Sequence, residues 1–319
     1  MSINLLLENL TNPALLFFVL GILAVLVKSD LNIPDNSSKF IALYLLFAIG
    51  FKGGHELAHS EFSAEILYTF IFAILAATFV PIYVFFLLKR KYTISNSAAI
   101  ASSYGSVSAV TFVTAITYLE MQNVEMGGHM VAVMAIMEAP AIVVGVFLLN
   151  RYTEGENQFS MLGVLRHAMT NGSVLLIIGS LIIGFITNDA QADEIKPFTT
   201  DLFKGFLAIF LLDMGISSGR KLGDFFKKGW TSVLLALLFP LVNGTITAWL
   251  SGFFLTEVGD RFILAILVSS ASYIAVPAAM KIAAPQANPG IYIPMALAIT
   301  FPFNITIGMP LYYNIVLLN

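Results

Sequence analysis

Long apolar runs alternate along this chain with short polar stretches. Ten runs stand out, near residues 12–28, 38–54, 64–89, 95–120, 129–150, 168–188, 199–219, 230–254, 260–282 and 290–317. A helix that crosses a bilayer needs about 20 mostly apolar residues. The runs are continuous rather than alternating, which excludes a transmembrane β-barrel. The pattern predicts an all-α polytopic membrane protein with ten transmembrane helices. Ser, Gly, Pro and Asn stud the fourth, ninth and tenth runs. Spans 4 and 9, with their serine clusters, are expected to break inside the membrane. Met1–Leu10 has no Lys or Arg and no small-residue cleavage site, so the first run is expected to remain as a helix.

The second half of the chain echoes the first. Phe47-Ala48-Ile49-Gly50-Phe51-Lys52-Gly53-Gly54-His55-Glu56-Leu57 ends span 2, and Leu212-Asp213-Met214-Gly215-Ile216-Ser217-Ser218-Gly219-Arg220-Lys221-Leu222 ends span 7. Gly50, Gly54 and Leu57 coincide with Gly215, Gly219 and Leu222. Gly105-Ser106-Val107-Ser108 in span 4 aligns with Ser269-Ser270-Ala271-Ser272 in span 9. Glu138-Ala139-Pro140 in span 5 aligns with Thr300-Phe301-Pro302 in span 10. Two five-span repeats follow, at 1–160 and 161–319. Five is odd, so the second copy enters from the opposite side and the repeat is inverted, as in secondary transporters.

Composition sharpens this picture. The chain is 58% hydrophobic and 11% charged, with net charge −3 and no cysteine. Soluble domains run near 25% charged. The deficit excludes a soluble enzyme, and the lack of a basic domain excludes nucleic acid as partner. No thiolate chemistry is available. Of the 16 basic residues, 12 fall after odd-numbered spans: Lys28, Lys39, Lys89, Arg90, Lys91, Arg151, Arg166, Arg220, Lys221, Lys227, Lys228 and Lys281. The positive-inside rule then places those loops in the cytoplasm and both termini outside, in a plasma (inner) membrane. Trp230 and Trp249 flank span 8 as interfacial anchors would.

Candidate chemistry concentrates in the serine runs. Ser102-Ser103-Tyr104-Gly105-Ser106-Val107-Ser108, then Thr111 and Thr114, face Ser269, Ser270, Ser272 and Pro277 across the repeat. A helix unwound at mid-membrane offers N–H groups to anions and carbonyls to Na⁺. Serine hydroxyls do both. Small residues also pack helices together, but paired placement in both halves favours a site. Glu138 is the deep carboxylate, and Thr300 and Asn304 add oxygens, so these with Thr111 are the Na⁺ candidates. Asp213 stands near Arg220 and Lys221 as a site residue or an interfacial ion pair. His55-Glu56-Leu57-Ala58-His59 satisfies H-E-x-x-H literally. A zinc protease would need a third ligand and a wet cleft, and the plain reading of these histidines, with His129 and His167, is a solvated loop or interface. No Walker A pattern is present, and no organic cofactor is expected.

At these motifs the chain resembles the sodium-dependent bicarbonate transporters of the SbtA type, over nearly its whole length. The resemblance rests on Asn12-Pro13-Ala14, Asn32-Ile33-Pro34, Ile49-Gly50-Phe51-Lys52-Gly53-Gly54, Gly105-Ser106-Val107-Ser108 and Glu138-Ala139-Pro140-Ala141 in the first half. In the second half it rests on Phe203-Lys204-Gly205, Met214-Gly215, the serines from Ser269, and Ala287-Asn288-Pro289. It implies a gate domain (spans 1, 2, 6 and 7), a core domain (spans 3–5 and 8–10) with crossed broken helices, and a homotrimer. It implies a substrate between spans 4 and 9, with Gly105, Ser106, Ser108, Ser269, Ser270 and Ser272 at matching positions. A PII-like cytoplasmic regulator also belongs to the family, and the short loop at 150–166 counts against it here. Four positions depart from the family pattern. Tyr273 replaces an Asp, Ala275-Val276 replaces Ser-Gly, and Glu138 replaces an Asp. Tyr273 therefore joins the substrate-binding candidates.

The expected function is Na⁺-coupled uptake of bicarbonate or a similar small anion by alternating access. Three rivals remain open at this stage. One is a cation–proton antiporter titrating Glu138. Another is an intramembrane zinc protease using His55, Glu56 and His59. The third is a silent receptor or scaffold.

Overall fold

The structure is a computed structural model that describes residues 13–60, 62–153, 163, 166, 170, 172–226 and 230–319. Met1–Leu10, Asn12, His167, Lys227, Lys228 and most of the loop at 150–166 lie outside the described residues. Every regular element among the described residues is helical, and no strand occurs there.

The first half holds α1 (Pro13–Leu26), α2 (Asp35–Ala58), α3 (Ala64–Leu88), α4 (Ile94–Gly105), α5 (Ala109–Met121) and α6 (His129–Tyr152). The second half holds α7 (Gly172–Ile186), α8 (Asp189–Lys196), α9 (Phe203–Phe226), α10 (Trp230–Leu250), α11 (Val258–Ser269) and α12 (Ala275–Ala283). The final run, 289–318, stays helical throughout. It comprises α13 (Pro289–Pro294), α14 (Phe301–Phe303) and α15 (Met309–Leu318), joined by π-helical stretches at Met295–Thr300 and Asn304–Gly308. Wide π turns relieve the carbonyl clashes of internal prolines such as Pro302 without ending the helix.

Among the described residues, seven helical segments are long and apolar enough to cross a membrane: Asp35–Ala58, Ala64–Leu88, Ile94–Met121, His129–Tyr152, Asp189–Lys221, Trp230–Phe253 and Pro289–Leu318. Leu15–Leu26 and Gly172–Ile186 are shorter apolar helices. Without water, backbone groups must pair within the chain, and helices achieve this. Local caps set the starts. Ser63 accepts from Ile66 N–H at 3.4 Å, and Thr93 accepts from Asn96 N–H at 3.3 Å.

Small residues decide which helices touch. α2 lies on α7, where Gly54 abuts the Leu181 backbone and Gly184 abuts Phe51. α1 lies on α9, where Gly215 abuts Phe18 and Gly21 abuts Leu212. A Cβ at these positions would overlap backbone atoms, so Gly is required for the approach. Gly50 of α2 also faces α7, and Gly219 of α9 faces the Val25 side chain of α1. Elsewhere α3 packs with α4 and α6, and α10 packs with α11 and α15.

Contacts between connecting segments sort them to two ends. At one end Arg220 donates to Asn32 at 3.1 Å, Asn288 N–H to Asn96 at 2.7 Å, and Lys91 to Thr231. There too Lys89 lies over the Tyr152 ring at 4.4 Å. At the other end Glu65 holds Thr256 N–H at 3.2 Å, Asp260 holds Gly127 N–H at 2.6 Å, and Lys204 pairs with Glu120 at 3.0 Å. Most of the basic residues collect at the first end.

Candidate functional site

α4 ends at Gly105 and α5 starts at Ala109, with Ser106 extended at φ −90°, ψ −178°. α11 ends at Ser269 and α12 starts at Ala275, with Ser270 extended at φ −79°, ψ 171°. The two interruptions meet. Ser108 N–H donates to Ser270 Oγ at 2.9 Å, and Ser272 N–H donates to the Ser103 carbonyl at 2.8 Å. Ser106, Ser108, Ser269, Ser270 and Ser272 are at most 4% exposed.

The hydroxyls divide into two groups. Ser108 Oγ takes Thr111 N–H at 3.2 Å and so caps α5, while Ser272 Oγ takes Val276 N–H at 3.3 Å in the first turn of α12. Ser270 Oγ donates to the Leu267 carbonyl at 2.9 Å and Ser269 Oγ to that of Ile266 at 3.1 Å. The buried hydroxyls of Ser102, Ser103 and Ser106 have no hydrogen-bond partner among the described residues. A buried polar group left unpaired costs about 1–3 kcal/mol, so such groups cluster where something else is bound. The N-terminal ends of α5 and α12 converge on the same point, where positive dipole ends favour an anion. The carbonyl ends of α4 and α11 meet there too, and carbonyls suit a cation.

The structure spreads the other expected residues around this crossing. Gly105 is pressed against α3, so that a Cβ there would fall 2.5–2.7 Å from the Pro81 ring. Tyr273 directs its hydroxyl to Met214 Sδ at 3.8 Å, with Ser108 as a second polar neighbour. Its ring stands edge-on to Phe301. Thr300 Oγ1 donates to the Ala236 carbonyl at 2.7 Å and meets Tyr104 OH at 2.8 Å. Asn304 Nδ2 donates to the Ser269 carbonyl at 3.1 Å, which ties the π-helical stretch Asn304–Gly308 to the crossing. Glu138 is half-buried and makes no hydrogen bond or ion pair among the described residues. Gly145 of α6 packs on Ser102 of the antiparallel α4. Glu138, seven residues earlier, is on the same face of α6 and about 10 Å further along, level with the start of α5. No described contact joins Glu138, Thr111, Thr300 and Asn304 to one another. Asp213 accepts a hydrogen bond from Ser38 and forms no ion pair among the described residues.

A cavity of about 740 Å³ opens at the end of the bundle opposite the basic residues, between α2, α5 and the start of α9. It stops at Ile116, about 10 Å along α5 from Ala109, so it does not reach the serines in this conformation. Lys52 and Lys204 line it, paired with Glu56 at 3.8 Å and Glu120 at 3.0 Å. Two of the four basic residues on that side therefore stand at its mouth. Glu120, Asp189 and Asp260 find their partners across more than 80 residues, and sequence spacing gave no signal for them.

A helical bundle with membrane-length helices and a polar crossing buried at its centre defines a multi-pass membrane transport protein. The chain belongs to the Na⁺-dependent bicarbonate transporter superfamily, whose family model matches residues 13–317. A search of curated proteins finds no match.

Proposed function

We propose that the chain takes up bicarbonate, or a similarly small oxyanion, coupled to Na⁺ and by alternating access. The observation that carries this reading is the crossing at Ser106–Ser108 and Ser270–Ser272, with two helix N-termini and three unpaired hydroxyls around it. Family membership supplies the ion and the substrate class. Bringing an anion into low dielectric is costly unless it is paired. A bound Na⁺ beside it supplies the pairing, and Glu138, level with the crossing, is the carboxylate we assign to that ion. Excess Na⁺ charge is drawn inward by the membrane potential at about 2.3 kcal/mol per charge per 100 mV.

In this reading there are ten spans with both termini outside. The interrupted pairs α4–α5 and α11–α12 each count as one span, and α1 and α7 span in spite of their length. The matching glycine contacts and the sorting of loops to two ends support an inverted repeat. Spans 1, 2, 6 and 7 form the gate, and the rest the core. The cavity at Lys52 and Lys204 is then the outer antechamber, where the two lysines offset the repulsion of an entering anion by Glu56, Glu120 and Glu125. The assembly is a homotrimer by family analogy, and we assign no cytoplasmic regulator.

Purified protein in proteoliposomes tests the site. Ser106→Ala is expected to raise KM for bicarbonate with little change in thermal midpoint. An unchanged KM in both Ser106→Ala and Ser270→Ala would place the substrate elsewhere.

A further inference from the structure

The His55–His59 pair has a third member. Asp189, in the first turn of α8, brings Oδ1 to 3.2 Å from His55 Nε2 and to 3.2 Å from His59 Nε2. The three ligand atoms lie within 4.8 Å of one another. The tautomer of His59 is fixed by its surroundings. Its Nδ1 stands 2.9 Å from the His55 carbonyl oxygen, which can only accept, so Nδ1 carries the proton. Its Nε2 then points a lone pair at a carboxylate oxygen. Two acceptors at 3.2 Å repel each other, and a cation standing between them relieves this.

From this the geometry points to a divalent transition-metal site, of the Zn²⁺ class, built from His55, His59 and Asp189. Imidazole nitrogens select Zn, Ni and Cu over the hard cations that prefer oxygen alone. Bonds of about 2.0–2.1 Å at tetrahedral angles separate neighbouring ligand atoms by about 3.3 Å. The two observed separations of 3.2 Å match that spacing. The carbonyl behind His59 Nδ1 is the outer-shell partner that metal-binding histidines use to fix their orientation. Both ligand-bearing elements are held in place. Gly184 of α7 abuts His55 N, and α8 starts from an Asn188–Gln191 capping box. The metal would tie α2 to α8, next to the cavity wall formed by Gly53 and Glu56 on one side and Thr199 on the other.

The site does not make the chain a protease. Glu56 would have to stand beside a metal-bound water to act as base. It faces the cavity and pairs with Lys52 at 3.8 Å. The site is a clasp between α2 and α8 whose remaining coordination falls to water, since the His59 and Asp189 side chains are exposed.

The test uses the full chain, freed of any polyhistidine tag, with Zn²⁺ followed by calorimetry and Co²⁺ by its visible absorption. One ion per chain is expected, with tetrahedral Co²⁺ bands. Asp189→Asn and His59→Ala are each expected to weaken binding about tenfold or more. Glu56→Gln should bind as the parent does. Both ligand variants are at exposed positions, and thermal melting without metal checks that they fold. No saturable binding in the micromolar range would overturn the proposal. So would equal affinity in the His55→Ala/His59→Ala double variant.

Discussion

Ser106 and Ser270 each directly follow the end of a helix, α4 and α11, yet their hydroxyls differ. Ser270 Oγ accepts Ser108 N–H, whereas Ser106 Oγ has no partner among the described residues. Ser270→Ala is therefore expected to cost about 1–3 kcal/mol, because a buried N–H loses its acceptor. Ser106→Ala should leave the thermal midpoint unchanged or raise it. Melting curves of the two variants compare them directly, and equal destabilisation would contradict the hydrogen-bond assignment. Glu138→Gln should flatten the Na⁺ dependence of uptake, and an unaltered Na⁺ titration would remove Glu138 from the ion site. The serines were legible in the sequence because poor helix formers with hydroxyls are conspicuous inside apolar runs. Gly105 was legible as a position but not as a role. Its contact with Pro81 is a packing constraint from another helix, and nothing at residue 105 announces it. Asp189 was invisible for the same reason, since its partners are more than 100 residues away.

Among helices, close approach follows the small residues. Gly184→Ala should lower the thermal midpoint, because its Cβ would overlap the Phe51 backbone. Gly179→Ala in the same helix should be neutral or slightly stabilising, since nothing lies within 4 Å of the added atom and alanine is the better helix former. Equal melting of the two would mean that α2 and α7 do not pack as described. Apolar runs placed the helices well, since length and hydropathy are local properties. The interruptions after Gly105 and Ser269 fell in the serine runs that composition singles out. The course of the last run was harder to read. Its prolines and Asn304 carried no prediction of its path, and π-helical stretches keep it continuous. That choice depends on neighbours such as Ala236 and Ser269, which take hydrogen bonds from Thr300 and Asn304.

Across the whole molecule, charge and contact agree on which loops share an end. The segments counted as cytoplasmic by the positive-inside rule touch one another through Arg220–Asn32 and Asn288–Asn96. Because the chain has no cysteine, single cysteines report orientation cleanly. Ser60→Cys is expected to react with a membrane-impermeant thiol reagent added outside intact cells, and Ser29→Cys only after permeabilisation. The reverse pattern would invert the orientation. The cavity at Lys52 and Lys204 predicts an electrostatic contribution at the opposite end. Replacing both with Gln should lower kcat/KM at low ionic strength and less so at high.

The central claim is coupling of anion uptake to Na⁺ through the crossing of α4–α5 with α11–α12. Uptake of labelled bicarbonate into proteoliposomes, with and without an inward Na⁺ gradient, tests it most directly. The account predicts accumulation that requires Na⁺ outside and collapses when K⁺ replaces it. Equal uptake in both salts, or none by folded protein, would contradict it.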